Sequence, residues 1–576
     1  MRPALLILSV LLPFTIAAAP WRLSTADTEV VVAVVRDAPI LHSLRRAGSP
    51  VNWLSRPIAE RLPAEVTVAG RVAKPAWKFV DASEAAGELR LRFESAEPAL
   101  LLESIWRARP GEGPVEHWLT LTNRTGRTIT IGHQDSLRLE GLRTAPAEKA
   151  SVWWVNRGGN NASRQGGVFV EPVNEELDQS IVSNPQDGSS PVPWMAVQVG
   201  ESRGLYVGWE FSGIGRIHAK VTNAAAREFD VSVGLTPDFR TDVAAGETFL
   251  VPPAFVGCYR GGLDEGAYSL HRYVLDKLLP PFPAGRVHPT LAYNLFLDSG
   301  GYKATEPDVL RSAAVCKDLG FETFVPDAMW FAGVGDWRWD PVRFPAGVKP
   351  IGAFVREGGM RLGLWMAWTN AGISEHPGAI NVRRQAGWII EPAPENWKPG
   401  PFIGKRICLA NPEAHQWALK ETQRVVEEYG IDYLKHDIDP IQTRCEQTTH
   451  RHKYGVDVSY WNALAYYDVQ ESLKRRFPNL ELEGCSHGGC VKDFGYIKRV
   501  HYIVTTDTLS SLPNRQSLWD STYAMPPAVL QAYTYENHYN RDSDRPRPYF
   551  WRSAMMGAWQ IDPTNTRSWT AEEKAG

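Results

Sequence analysis

Three things are scarce in this 576-residue chain. Cysteine is the first: six residues, at positions 258, 316, 408, 445, 485 and 490, too few and too scattered for a disulfide scaffold. Charge of one sign is the second. The formal net charge is −3, from 62 Lys and Arg against 65 Asp and Glu, so no polyanionic partner is implied, neither nucleic acid nor a membrane surface. Long apolar runs are the third. One stands at the N-terminus, "MRPALLILSVLLPFTIAAAP". A single arginine before an apolar stretch that ends in small residues predicts a signal peptide over residues 1–19, and with it a secreted or periplasmic protein. The run is short for a membrane span. Fixed-period repeats and low-complexity segments are missing as well.

Tryptophan is abundant: 22 residues, against 20 Phe and 19 Tyr. Indole faces fill cores, but they also stack on sugar rings, which tilts the reading toward a carbohydrate ligand. Hydrophobic residues at 43% and charged residues at 22% describe an ordinary globular protein, long enough for two to four domains. Asn123-Arg-Thr and Asn161-Ala-Ser are glycosylation sequons that matter only in a eukaryotic secretory pathway.

Two grammars divide the chain. Over residues 20–285, short segments such as "TEVVVAVV", "GELRLRFES", "VEHWLTLTN" and "REFDVSVGL" alternate apolar and polar residues between Gly, Pro and Asn turns. Many strands without intervening helical periods predict an antiparallel β-sandwich domain. "LPPFPAGRVHP" (279–289) reads as a linker. Over residues 286–576 strands and helices alternate. Strands are expected at 291–298, 321–327, 361–368, 431–437, 479–485 and 501–507, with "STYAMPPAV" and "AMMGAWQID" supplying the last two. Helix punctuation is clear at Thr305, Pro307 and Gly320, and again at Asn411, Pro412 and Gly430. About eight βα units predict a (β/α)8 TIM barrel, whose active site lies at the C-terminal ends of the strands. Polar residues gather there: Asp298, Asp327, Trp368, Asp437, Cys485 and Asp507.

"YLKHDIDP" (433–440) is the most informative strand. Period-two alternation puts Lys435, Asp437 and Asp439 on one face and His436 on the other. A lysine close to Asp437 favours the ionised carboxylate that a nucleophile needs. Asp507 ends another strand among Ile503, Val504, Thr505 and Thr506, with less cationic support, so it suits a protonated general acid. One ionised and one protonated carboxyl across a barrel rim is the arrangement of a retaining glycosidase. An Asp at a βα junction is also a common helix N-cap. Cys485, His487 and Cys490, with His501, have metal-ligand chemistry, but one crowded loop without a partner pair reads better as a sugar-contact loop or a disulfide. Cys445, His450 and His452 lie in the polar loop "RCEQTTHRHKYG", read as a solvated rim loop and a candidate subsite wall. No metal ligand is assigned and no cofactor is expected.

The segment "GFETFVPDAMWF…GDWRWDPVRFPAGVKPIGAFVREGGMRLGLW" resembles glycoside hydrolase family 36, the α-galactosidases. "NPEAHQWALKETQRVVEEYGIDYLKHD", "LEGCSHGGCVKDFGYI" and "ENHY" (536–539) continue the resemblance, which covers about residues 290–570. It implies a retaining exo-α-glycosidase acting on terminal α-galactosyl residues. Asp437 would be the nucleophile and Asp507 the general acid/base. Lys435, Asp327, Trp365, Cys485, Ser486 and Gly488 would bind substrate, with Arg406 the nearest candidate for a displaced arginine. The sequence departs from the family pattern at Ala328, where a second aspartate is usual, at His436 in place of Trp, and at His487 and Cys490 in a glycine run. These departures bear on the choice of sugar, so α-N-acetylgalactosaminidase, a transglycosylase of the same clan and a weakened carbohydrate-binding relative are the alternatives. The C-terminal β domain usual in the family is not expected in this sequence. A homo-oligomer is compatible with the sequence, which specifies no partner beyond a carbohydrate.

Overall fold

The computed structural model describes residues 20–159, 166–296, 298–508, 510–535, 547–563, 566 and 569–575. The expected signal peptide, the Asn161 sequon and "ENHY" lie outside them.

The first half is antiparallel β. A nine-stranded sheet has Thr248–Arg260 near its middle, flanked by Val115–Asn123 and Arg203–Trp209. A four-stranded sheet of Asp135–Arg143, Glu228–Gly234, Gly215–Asn223 and Asp178–Ser183 packs on it. Alternation explains the packing. In Glu88–Ser95 every second residue is buried, and Leu89, Leu91 and Phe93 are fully enclosed while Arg90 and Arg92 reach outward to carboxylates. The last long strand runs into the helix Leu263–Tyr273, and no helix or strand lies between Leu279 and Leu291.

The second half is a closed barrel of eight parallel strands: β1 (Ala292–Leu295), β2 (Thr323–Pro326), β3 (Arg361–Met366), β4 (Tyr433–His436), β5 (Glu481–Gly484), β6 (Tyr502–Val504), β7 (Leu530–Tyr535) and β8 (Ala558–Asp562). The sandwich-then-barrel expectation holds. One strand was misplaced: "STYAMPPAV" ends a helix and forms a 3-10 turn at Pro527–Val529, and β7 begins only after it. Two consecutive prolines cannot donate to a central ladder. The helix Pro412–Tyr429 that delivers the chain to β4 is punctuated as read. Asn411 Oδ1 accepts from the backbone of Glu413 and Ala414, and Gly430 closes it at φ 60°.

The two halves share buried contacts at the barrel mouth. Arg157, fully enclosed, donates to the Cys490 carbonyl at 2.7 Å and pairs with Asp493 at 3.3 Å. Gln186 donates to the Ile441 carbonyl and to Gln442, both at 3.1 Å. Loops of the sandwich thus pack behind the turns that follow β4 and β5.

Candidate active site

β4 sorts its side chains as period two requires. His436 faces the surrounding helices, stacked on Trp368 at 4.4 Å and bonded through Nδ1 to the Tyr466 hydroxyl at 2.8 Å. Burial pushes its pKa down to about 3, so the ring is neutral and fills an aromatic slot. Lys435 faces the barrel axis. Its ammonium lies 2.9 Å from Asp327 Oδ2, 3.3 Å from Asn294 Oδ1 and 3.8 Å from Glu483 Oε1, and 5.0 Å from the Tyr533 ring centre. Burial works against the cation, but Asp327 and Glu483 hold its pKa well above the ordinary value.

Asp437 follows at the strand end, half-buried. Its Oδ1 accepts from the backbone of His487 at 2.9 Å and of Ile438 at 2.7 Å, and its Oδ2 from Trp365 Nε1 at 3.2 Å. Burial alone would raise its pKa. The charges of His487 and Lys435 and the two backbone donors overcome that and hold it below the usual carboxylate range. Asp507 shows the opposite balance. Burial and the charge of Asp437 push it up to about 7, against the smaller pull of Lys435 and His487. Cys485 Sγ lies 3.9 Å from both Asp507 oxygens.

One turn touches both carboxyls. Residues 486–489 all have positive φ: Ser486 50°, His487 53°, Gly488 70° and Gly489 91°. The His487 amide donates to Asp437, and the next residue backs Asp507 so closely that a Cβ on Gly488 would come within 2.3 Å of the Asp507 nitrogen and 2.8 Å of its Cγ. On the facing turn, Ile438 and Asp439 also have positive φ, 58° and 31°. A β-branched residue there is strained, and such strain persists only where surrounding bonds over-determine it. The imidazole of His487 reaches Asp439 at 3.4 Å, and Asp439 also pairs with Arg406. Burial opposes the imidazolium, while the hydrogen bond and charge of Asp439 raise its pKa.

The structure therefore brings Asp437, Asp507, Lys435, Asp327, Trp365, Cys485 and Gly488 together at the rim. Two of the expected binding residues have other attachments. Ser486 is buried with its hydroxyl 3.1 Å from the Tyr496 hydroxyl, and Arg406 is held by Asp439. Asp298, read as a rim carboxylate, is fully buried in a cage of hydroxyls from Tyr293, Ser312 and Thr566. The chain has already left β1 there, and a 3-10 helix begins at Asp298. Ala328 is buried, and its amide donates to Asp327 Oδ1 at 2.7 Å. The sequence reading missed Glu483, Asn294 and Tyr533, which surround Lys435. Glu481 and Glu483 alternate in a buried strand just as Lys435 and Asp437 do, so the same signal was present in "ELEGC". The loop after β4 is a further correction. His450 and His452 are buried, not solvated, and lie with Cys445 against Cys408.

A β-sandwich ahead of a (β/α)8 barrel, with one carboxyl at the rim held below the usual range and a second pushed up to about 7, is the build of a glycoside hydrolase of the family 36 type. The chain belongs to the Melibiase family, whose model matches residues 248–574. It is 26% identical to an α-galactosidase of Escherichia coli over 487 residues, 81% of this chain and 64% of that protein. To α-galactosidase 2 of Hypocrea jecorina it is 24% identical over 58% of this chain and 45% of that protein. The chain thus spans about half to two thirds of the length of these curated relatives. Among solved structures, the α-galactosidase of Lactobacillus brevis superposes with a TM-score of 0.82 at 18% identity, over 97% of this chain and 82% of that one. The family 36 α-galactosidase AgaA of Geobacillus stearothermophilus gives 0.82 at 16% identity, over 97% and 84%.

Proposed function

We propose that this protein is a retaining exo-α-galactosidase. The observation that carries the reading is the split ionisation of two carboxyls set against one turn, Asp437 held ionised and Asp507 held up to about 7. Asp437 attacks the anomeric carbon while Asp507 protonates the departing oxygen. Asp507 then takes a proton from the water that releases the sugar. His487 and Lys435 keep Asp437 charged, and Lys435, with Asp327, presents a cation and a carboxylate to the hydroxyls of the sugar. Trp365 and the His487 amide aim the nucleophile. The AgaA relative has been seen in complex with stachyose and with raffinose, which supports an α-galactosyl oligosaccharide as substrate here. The arginine and apolar run of residues 1–19, read as a signal peptide, support a location outside the cytoplasm, secreted or periplasmic.

Ala328 favours one variant of this reading. Without the second aspartate, the sugar pocket has one carboxylate fewer, which suits an α-N-acetylgalactosaminide or a transfer acceptor. A panel of aryl α-glycosides assayed on the purified protein separates the sugars, and product analysis with a second sugar as acceptor separates hydrolysis from transfer. The α-galactoside is expected to turn over fastest, with the α-anomer of galactose formed first by NMR. Preference for the α-glucoside, or release of the β-anomer, would overturn the reading.

A further inference from the structure

Cys408, just before the helix Pro412–Tyr429, and Cys445, His450 and His452, in the loop that follows β4, come together. One ligand-capable atom from each lies within 4.8 Å of the other three. Cys408 is fully buried, His450 and His452 nearly so. From these four side chains we infer a closed structural zinc site, a Cys2His2 centre that none of the catalytic residues enters.

The surroundings are those of metal ligands. His450 Nε2 lies 2.6 Å from the Gly387 carbonyl. A carbonyl only accepts, so Nε2 carries a proton and Nδ1 is the nitrogen free to ligate. That Nδ1 lies 3.5 Å from Cys445 Sγ. A backbone carbonyl fixing the remote nitrogen of a ligating histidine is the usual second layer of such sites. His452 Nε2 is buried with no hydrogen-bond partner, a cost that a ligand role removes. Both sulfurs are prepared as well. Cys408 Sγ accepts from Asn462 Nδ2 at 3.2 Å, and Cys445 Sγ faces His450 Nδ1.

Two thiolates and two imidazoles around one point select zinc among common divalent ions. Bonds of about 2.0–2.3 Å set ligand–ligand edges of about 3.3–3.8 Å, so the four atoms need to close by roughly 1 Å. Four protein ligands leave no open position, which makes the role structural. The site would tie the chain before the helix Pro412–Tyr429 to the loop after β4. That loop carries Asp439, the partner of His487 and Arg406, at one end. At the other it meets the sandwich through Arg451–Glu247 and through Lys453–Asp242 at 2.7 Å.

The test is metal content of the full-length protein purified without chelator, with zinc in the medium. One zinc per chain is expected, and exchange for Co2+ should give the intense visible ligand-field bands and sulfur charge-transfer absorption of a tetrahedral two-thiolate centre. Cys445→Ser and His452→Gln should lose the metal and melt earlier, while Cys490→Ser keeps it. If those variants fail to fold, the cobalt spectrum of the unmodified protein still decides. Absence of metal after zinc addition to the reduced protein would overturn the inference. So would a Cys408–Cys445 disulfide in the protein as isolated, or zinc retained in both Cys445→Ser and His452→Gln.

Discussion

Asp437 and Asp507 are the same residue type at the ends of two barrel strands, and what separates them is their neighbours. Asp437 receives three hydrogen bonds, from Trp365, His487 and Ile438, and Asp507 is pushed up to about 7 by burial and by Asp437 itself. The proposed double displacement needs the first ionised and the second protonated. The profile of kcat/KM against pH is therefore expected to fall on the alkaline side near 7, and on the acid side only below the ordinary carboxylate range. Because the carboxyls interact, both limbs belong to the pair. A hydrogen bond to a charged group contributes about 1.5–3 kcal/mol, equivalent to about one to two pKa units. Trp365→Phe should move the acid limb upward by about one unit and leave the alkaline limb nearly in place. An unmoved acid limb would show that the indole does not hold Asp437. Much of this was legible in the sequence, because period two alone puts Lys435 and Asp437 on one face. His436 was legible as the outward face, but not as a neutral ring, since that depends on burial between Trp368 and Tyr466.

The turn 485–490 does at the level of the element what no single side chain does. Its left-handed run presents an amide to one carboxyl and a bare Cα to the other. Gly488 is required there on two grounds, its φ of 70° and the absence of room for a Cβ beside Asp507. Gly488→Ala should displace Asp507, and a misplacement of about 1 Å costs on the order of 10²-fold in rate. The expected result is that fall in kcat with nearly unchanged far-UV circular dichroism. Gly455→Ala, where a Cβ meets nothing within 4 Å, is the control. Helix ends were readable from Asn411, Pro412 and Gly430 because caps are local chemistry. The turn was read only as a contact loop, since its conformation is imposed by Asp437, Asp507 and Tyr496 from three different segments. The seventh strand was misread for a different reason: "STYAMPPAV" is apolar enough for a strand, but its prolines exclude one. Cys408 could not be matched to Cys445 from spacing, because a whole helix and β4 lie between them.

For the whole molecule, the β half is part of the site's foundation. Arg157 links the sandwich to the turn through the Cys490 carbonyl and Asp493, and Lys492 donates to the Arg157 carbonyl from the barrel side. Removing one member of a buried pair leaves the other charge uncompensated, at a cost of about 3–5 kcal/mol. Arg157→Met should shift the urea midpoint down by a corresponding amount and lower kcat, acting through the turn that carries His487 and Gly488. Normal stability in that variant would mean that the two halves are independent. None of this interface was visible in the sequence, where Arg157 is one arginine among many in a glycine- and asparagine-rich loop.

The central claim is the division of labour between the two carboxyls, and the stereochemistry of azide rescue tests it most directly. Asp437→Ala should lose several orders of magnitude in turnover of an aryl α-galactoside, as removal of a covalent catalyst does. Azide in the vacated space then attacks the face that Asp437 would have used and gives the β-galactosyl azide. Asp507→Ala should still form the galactosyl-enzyme from an activated aryl glycoside, and azide attacking that intermediate gives the α-galactosyl azide. NMR of the two products is the measurement: β from Asp437→Ala and α from Asp507→Ala is the predicted result, and the two anomers exchanged, or near-normal turnover by Asp437→Ala without azide, would contradict the account.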